Sequence, residues 1–170
     1  MPTNFYMFFV AAAIPLAIGA VYYHPMVVGN AWMKTNGFTA AQLQKGNMAV
    51  IFGLSYIFSV LTAVMLSAVV IHQGGVFGTI GTAALEAGSP EQADFAQMMA
   101  KYGNNFRTFG HGALHGFGVA LLFALPIIGI NALFERRGWK YILIHFGYWA
   151  ITLTLMGGLL CQTLKYASPS

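Results

Sequence analysis

Residues 47–71 read NMAVIFGLSYIFSVLTAVMLSAVVI, and they say more than any other stretch about how the chain folds. The stretch contains no Asp, Glu, Lys or Arg, and its polar side chains are hydroxyls and one amide. A helix needs about 20 consecutive, mostly apolar residues to cross the hydrocarbon core of a bilayer. The stretch therefore predicts a transmembrane helix.

Three further stretches, residues 1–33, 108–134 and 141–164, also lack Asp, Glu, Lys and Arg. Each is long enough to contain a bilayer-spanning helix. We therefore predict an all-α integral membrane protein, a bundle of four transmembrane helices. The predicted spans cover about residues 4–23, 47–71, 110–134 and 140–164.

The composition agrees with a single membrane domain that covers residues 1–170. Hydrophobic residues make up 58% of the chain and charged residues 7%, whereas about 25% of the residues in a soluble domain are charged. The formal net charge of +4 is scattered along the sequence and forms no dense basic face. Membrane lipid is therefore the expected surrounding, and nucleic acid is not an expected partner.

The three connections between the spans differ in character. The first carries Trp32 among polar residues, as an interfacial segment does. In the second, Ser89, Pro90 and Gln92 predict the start of a short amphipathic helix, with Gln92 returning a hydrogen bond to the backbone of the capping serine. The third, residues 135–140, is a tight turn, so we expect the last two spans to be antiparallel neighbours.

Lysine and arginine residues set the expected orientation, because they are enriched in cytoplasmic loops. With four spans, five of these residues fall on one side of the membrane: Lys34, Lys45, Arg136, Arg137 and Lys140. The other three fall on the opposite side: Lys101, Arg107 and Lys165. The bias predicts that the two basic loops are cytoplasmic and that both termini lie outside the cytoplasm.

The start of the third span, RTFGHGALHGFG at residues 107–118, carries the most chemistry. Arg107, His111 and His115 recur every four residues, so on a helix they form one stripe. Ionisable groups within a membrane normally face the protein interior. We therefore expect this stripe to line a polar site within the bundle.

Small residues predict where helices pack closely. Gly112 and Gly116 have the spacing that lets two helix backbones approach each other. Gly157 and Gly158 in the last span indicate the same kind of contact. Cys161, the one cysteine, lies in an apolar run and is expected to be a buried packing residue.

The five histidines fall into two layers. His72 ends the second span on the side where His111 and His115 begin the third, whereas His24 and His145 lie on the other side. Two histidines four residues apart on a helix can coordinate one transition-metal ion, and imidazole also binds haem iron. The alternatives are an interhelical hydrogen-bond network and a path for a substrate or ion.

Two stretches resemble the family known as domain of unknown function 1761, whose members are small bacterial membrane proteins. In the first, GAVYYHPMVVGNAWMK at residues 19–34, the family's signature is matched at Tyr23, Pro25, Gly29 and Trp32. The signature is not matched at four neighbouring positions: Tyr22, His24, Val28 and Asn30.

The second stretch runs from Asn131 through Tyr148 to Gly158 and resembles the C-terminal half of the family. The residues from about 82 to about 107 resemble an insertion into the family's pattern. The resemblance implies a multi-pass protein of the bacterial inner membrane with about four helices, and it implies no reaction.

No standard catalytic signature is present, so we expect no enzyme activity. Three functions are compatible with these observations. The first is a packing, scaffold or accessory-subunit role without a cofactor, as a homo-oligomer or within a larger membrane complex. The second is binding of haem or a transition metal by His72, His111 and His115, and the third is a channel or carrier for a small solute.

Overall fold

The computed structural model describes residues 2–166 and contains helices and turns but no strand within that range. The α-helices are α1 (Tyr6–Tyr22), α2 (Asn30–Asn36), α3 (Ala40–Leu43), α4 (Met48–Val70), α5 (Gln73–Ile80), α6 (Pro90–Tyr102), α7 (Phe109–Val119), α8 (Leu125–Phe134) and α9 (Trp139–Thr163). Turns of π-helix, Pro25–Gly29 and Ala120–Ala124, lead into α2 and α8, and a 3₁₀ turn, Gly81–Leu85, follows α5.

Three helical stretches are long and apolar enough to cross a membrane: Met48–Val70, Phe109–Phe134 and Trp139–Thr163. The first predicted span is different, because Tyr6–Tyr22 and Pro25–Asn36 are bent by 57° at the break between them. This pair is a fourth candidate span when it is taken as one broken helix. The all-α prediction is confirmed, and three to four helices fit a membrane.

The outer face of α4 is apolar and unprotected. Phe58, Leu61 and Met65 are 62%, 59% and 68% exposed. A soluble protein keeps large apolar patches of this kind buried, whereas lipid tails solvate them without cost. The exposed face of the bundle therefore fits a hydrocarbon environment.

The core lies where α1, α4, α7 and α9 meet. Small side chains line the meeting faces, and Ala11, Ala63 and Ala120 are completely buried. Larger side chains come from α9, where Met156 and Leu160 are also completely buried. Helices in lipid associate through close van der Waals contact, which small residues permit.

Hydrogen bonds fix which connections share an end of the bundle. At one end, the amide of Thr3 donates to the carbonyl of Lys165 at 2.8 Å, so the two terminal segments lie side by side. We call this the histidine end, where α4 and α9 finish and α7 begins. At the opposite end, the Arg137 guanidinium donates to the Thr35 carbonyl at 3.2 Å and joins α2 to the α8–α9 turn. We call it the lysine end.

The second connection contains more structure than the sequence predicted. The short amphipathic helix is α6, but α5 and the 3₁₀ turn precede it. Ser89 caps α6 by accepting from the amide of Gln92 at 3.0 Å. The predicted hydrogen bond from the Ser89 amide to the Gln92 side chain is not formed. The Gln92 side chain instead accepts from the amide of Gly88, one residue earlier, at 2.9 Å. The Ser89 amide already donates to the carbonyl of Glu86.

Candidate functional site

His72, His111 and His115 converge at the histidine end, and we call them the three-histidine cluster. Each ring offers one nitrogen, and these three atoms lie within 4.8 Å of one another. The Nε2 atoms of His72 and His111 are 2.9 Å apart, so in the absence of an ion one ring donates a hydrogen bond to the other. The ring centroids are separated by 4.5 to 5.1 Å. The nitrogens therefore surround a common point.

Two of the three rings are placed by α7. His111 and His115 are one turn apart, so their side chains leave the helix on the same side. The helix starts cleanly because the hydroxyl of Thr108 accepts a hydrogen bond from the amide of His111 at 3.3 Å. The cap thus fixes the position of the first histidine directly.

The third ring is placed by the segment that follows α4. Ile71, which ends that helix, is almost completely buried, and His72 follows it at the surface. The side-chain amide of Gln73 donates to the carbonyls of Tyr102 at 3.1 Å and Asn105 at 3.0 Å. These bonds tie the residue next to His72 to the chain that leaves α6. Sequence analysis missed Gln73, because nothing in its local pattern predicts a tertiary contact.

Phe106 contributes to the site in a way that the sequence does not indicate. Its φ is +62°, a left-handed conformation that is costly for a residue with a bulky side chain. This turn lays the Phe106 ring against the ring of His111, with centroids 5.1 Å apart and planes inclined by 29°. The carbonyl of Phe106 accepts from the buried thiol of Cys161 at 3.3 Å. Phe106 therefore covers one side of the cluster.

Arg107 does not belong to the histidine stripe, and this part of the stripe prediction was wrong. The helix begins at Phe109, and the extended cap residue Thr108 separates Arg107 from it. The Arg107 guanidinium donates to the carbonyl of Cys161 at 2.8 Å and to the carbonyl of Leu164. Arg107 therefore satisfies the last carbonyls of α9, where the helix dipole favours a cation.

Tyr166 lies beside this cap, with the Arg107 guanidinium 5.9 Å from the centre of its ring. Burial raises the pKa of the Tyr166 phenol above its ordinary value, and the nearby positive charge of Arg107 opposes that rise. The Arg107 guanidinium is thus engaged with the C-terminal segment.

Glycines hold α7 against α9. A Cβ on Gly112 would overlap the carbonyl oxygen of Gly157, and a Cβ on Gly116 would overlap the carbonyl oxygen of Leu153. The pairing of 112 with 157 and of 116 with 153 makes the two helices antiparallel. A Cβ on Gly158 would lie 2.6 Å from the ring of Phe109. The backbone of the helix that carries two of the histidines is therefore in direct contact with its neighbour.

The cluster suits a small metal ion. Tetrahedral zinc binds imidazole nitrogen at about 2.0–2.1 Å, which places two such nitrogens about 3.3 Å apart. The closest pair here is 2.9 Å apart and all three lie within 4.8 Å, so small side-chain rotations bring them to that spacing. His72 is exposed and the other two rings are half-buried, so the cluster is open to solvent at one end of the bundle.

A haem held by two of these histidines does not fit. Bis-histidine ligation places the flat macrocycle between the two rings. His111 and His115 project from consecutive turns of one helix, and their ring centroids are only 4.5 Å apart. The ring centroid of His72 lies 5.1 Å from that of His111 and 4.9 Å from that of His115. No pair of rings leaves a slot for a porphyrin.

The other two histidines lie at the lysine end, as the two-layer prediction expected. The ring nitrogen of His24 accepts from the amide of Met26 at 3.3 Å. The Nδ1 of His145 is 3.4 Å from the hydroxyl of Tyr23, and its ring also contacts Tyr141. Neither histidine contributes to the three-histidine cluster.

The four signature positions shape the bend between α1 and α2. Pro25 begins the π-helical turn, and Gly29 closes it by donating its amide to the carbonyl of His24 at 3.0 Å. A Cβ on Gly29 would overlap the carbonyl oxygen of Tyr23. The rings of Tyr23 and Trp32 then meet across the turn, with centroids 5.5 Å apart. These residues maintain a backbone shape and show no direct link to the cluster.

One comparison with known proteins gives a match. A family model described as "Protein of unknown function (DUF1761)" matches residues 6–161, which is nearly the whole chain. Searches among curated proteins and among solved structures each give no match. The matched range contains all three members of the three-histidine cluster.

Proposed function

This chain belongs to the DUF1761 family of proteins of unknown function, and we propose that it is a non-enzymatic membrane protein that binds one divalent transition-metal ion, with zinc as the model ion. His72, His111 and His115 are the proposed ligands. The observation that supports this function is the convergence of three imidazole nitrogens within 4.8 Å at one end of an apolar bundle.

Three features of the cluster favour an ion over a simple hydrogen-bond network. A network of imidazoles needs one donor and one acceptor at each contact, and the 2.9 Å pair of His72 and His111 already satisfies two rings. The third nitrogen, from His115, lies within 4.8 Å of both nitrogens of that pair. Three neutral imidazoles around one point offer three lone pairs, which is the arrangement that a borderline-soft cation prefers.

The packing role that the sequence favoured becomes part of this proposal. The glycine contact between α7 and α9 fixes the helix that presents His111 and His115, and Gln73 holds the segment that presents His72. Supports of this kind orient ligands and maintain affinity. Three protein ligands also leave one position of a tetrahedral ion for water or an external ligand.

The proposal is tested with protein reconstituted in lipid nanodiscs and freed of metal by a chelator. We expect one equivalent of zinc per chain, measured by competition with a fluorescent chelator, and a visible absorption band when cobalt(II) replaces zinc. His111→Ala and His115→Ala should each weaken zinc binding by at least about 100-fold. His145→Ala is the matched control, because that histidine lies at the opposite end, and it should leave the affinity unchanged.

Two outcomes contradict the proposal. Zinc that binds with the same affinity to His111→Ala and to the unaltered chain must bind elsewhere. A chain that binds no stoichiometric zinc or cobalt, but is purified with a Soret band, uses its histidines for haem instead.

A further inference from the structure

A second candidate site lies at the lysine end, on the far side of the bundle from the three-histidine cluster. A cavity of about 700 Å³ opens there between α2 and the first turns of α9. Its size falls within the range of about 300–1,000 Å³ that is usual for small-molecule sites. Lys34 and Thr35 line it from α2, and Trp139, Lys140 and Ile144 line it from α9.

The rim of this cavity is positively charged and unneutralised. Both Lys34 and Lys140 are exposed. Within residues 2–166 the ion pair that the structure contains joins Arg137 to Glu135 at 3.7 Å, so neither lysine has an acidic partner there. The ammonium of Lys140 lies 5.8 Å from the centre of the Trp139 ring. Two ammonium groups without an acidic partner on one cavity attract an anion.

The polarity of the cavity changes with depth along α9. The helix begins at Trp139 and runs from there into the bundle, so each residue lies about 1.5 Å deeper than the one before it. Lys140 lines the cavity in the first turn, and the apolar residues Leu143 and Ile144 line it about 4.5 and about 6 Å deeper. Leu143 is 51% exposed. The cavity thus has a cationic mouth and an apolar wall that continues toward the hydrocarbon layer.

The two walls are fixed relative to each other. Arg137 donates from the α8–α9 turn to the carbonyl of Thr35 on α2, and Thr35 itself lines the cavity. The arginine side chain also lies over the ring of Tyr141, 5.8 Å from its centre. The cavity is therefore bounded by two elements that are held together by a side-chain bond, and not by an isolated helix end.

We propose that this cavity binds one anionic phospholipid, with the phosphate headgroup between Lys34 and Lys140 and an acyl chain along Leu143 and Ile144. A soluble phosphate ester would use the cationic mouth alone and would leave the apolar wall unused. A zwitterionic lipid would bring its own cation to the two lysines. An amphiphile with a net negative headgroup uses both parts of the cavity.

The test measures lipid retention by native mass spectrometry of the chain released from nanodiscs that contain equal amounts of phosphatidylglycerol and phosphatidylcholine. We expect one phosphatidylglycerol molecule to stay bound in preference to phosphatidylcholine. Each lysine near an anionic lipid contributes about a fivefold preference, so the double variant Lys34→Gln, Lys140→Gln should lose about 30-fold. Lys45→Gln removes one charge at the same end but outside the cavity, and it should retain the lipid.

Three results would overturn the proposal. They are equal retention of the two lipids by the unaltered chain, undiminished phosphatidylglycerol binding by the double variant, and complete displacement of the lipid by soluble glycerol phosphate at matched concentration. Far-ultraviolet circular dichroism on the same samples checks folding, and zinc affinity is measured alongside it. Because the cavity and the histidines are at opposite ends, loss of one activity in a variant leaves the other intact.

Discussion

Replacement of Gly116 by alanine should separate α7 from α9 and weaken the whole bundle. The added Cβ would overlap the carbonyl oxygen of Leu153 and would lie 2.7 Å from its carbonyl carbon. Carbon atoms in ordinary contact are about 3.5–4.0 Å apart. The atoms that obstruct the methyl group belong to the backbone, which cannot rotate away as a side chain can. We therefore expect α9 to move by about 1 Å.

The magnitude follows from two opposing terms. Overpacking of a close contact costs about 1–3 kcal/mol. Alanine recovers about 0.8–1.0 kcal/mol of helix propensity relative to glycine. The obstructing atoms are backbone, so the cost lies in the upper part of that range, at about 2–3 kcal/mol. The net loss for Gly116→Ala is therefore about 1–2 kcal/mol of unfolding free energy. Gly118→Ala is the matched control, because Gly118 is on the same helix and a Cβ there meets nothing within 4 Å. It should gain stability by up to about 1 kcal/mol.

The assay is unfolding of the purified chain in mixed micelles, with a rising fraction of denaturing detergent and far-ultraviolet circular dichroism as the readout. The two alanine variants should differ by about 1–3 kcal/mol, in opposite directions from the unaltered chain. Zinc affinity should also fall in Gly116→Ala, since the displaced helix carries His111 and His115. Equal unfolding free energies for the two variants would mean that the backbones of α7 and α9 are not in contact at Gly116.

Three other outcomes are expected. Zinc affinity should fall by at least about 100-fold between about pH 7.5 and about pH 5.5 in a chelator-competition titration, because each imidazole must lose its proton to bind and lower pH favours the protonated ring. Arg107→Gln should lower the unfolding free energy by about 1–3 kcal/mol in the same assay and increase amide hydrogen exchange in the last turn of α9. Lys101→Gln, at an exposed position of α6, should have neither effect. Gly29→Ala should cost about 1–3 kcal/mol because its Cβ would overlap the Tyr23 carbonyl, whereas Gly53→Ala, which meets nothing within 4 Å, should not destabilise the bundle.

The long helices were predictable because their signal is local. A helix in lipid must satisfy its own backbone and present apolar side chains on most of its surface, so its sequence lacks charge along its whole length. The predicted span 47–71 became Met48–Val70, and the predicted span 140–164 became Trp139–Thr163. The antiparallel contact of the last two spans followed in the same way from the short turn between them.

The bend directly follows the first predicted span, which ended at residue 23, but the bend itself was not predictable from hydropathy. The run without Asp, Glu, Lys or Arg continues on both sides of Pro25 as far as Met33, so hydropathy does not mark the bend. The direction of the chain changes because Gly29 allows its backbone to approach the Tyr23 carbonyl, and because the rings of Tyr23 and Trp32 meet across the turn. Both causes are tertiary contacts between residues that hydropathy treats alike.

The prediction for Arg107 was wrong for a different reason. A local capping signal was present in the sequence, but the prediction followed the four-residue periodicity instead. The four-residue spacing of Arg107, His111 and His115 extended the helix backward through Thr108. A threonine three residues before His111 is in the position of an N-cap, whose hydroxyl accepts from the amide three residues on. A capping residue ends the helical periodicity, so the residue before it lies outside the helix.

Predicting the three-histidine cluster requires both local sequence patterns and tertiary contacts. The spacing of His111 and His115 placed them on one face, and the order of the spans placed His72 at the same depth. Neither observation fixes a separation of 2.9 Å between two ring nitrogens. That distance depends on Gln73, which anchors the segment after α4 to the carbonyls of Tyr102 and Asn105. The sequence therefore predicts which histidines share an end, and tertiary hydrogen bonds determine whether they meet.

The position of the cluster fits a stabilising role for the proposed ion. The contact between α7 and α9 is extensive and is held by backbone-to-backbone approach at Gly112 and Gly116, whereas the contact between α4 and α7 is small. The proposed ion joins these two weakly packed helices through His72 on one side and His111 and His115 on the other. An ion that binds only the folded chain stabilises it by about 2.7 kcal/mol at a concentration 100 times its dissociation constant. That stabilisation acts at a joint between two helices that share only a small contact of their own.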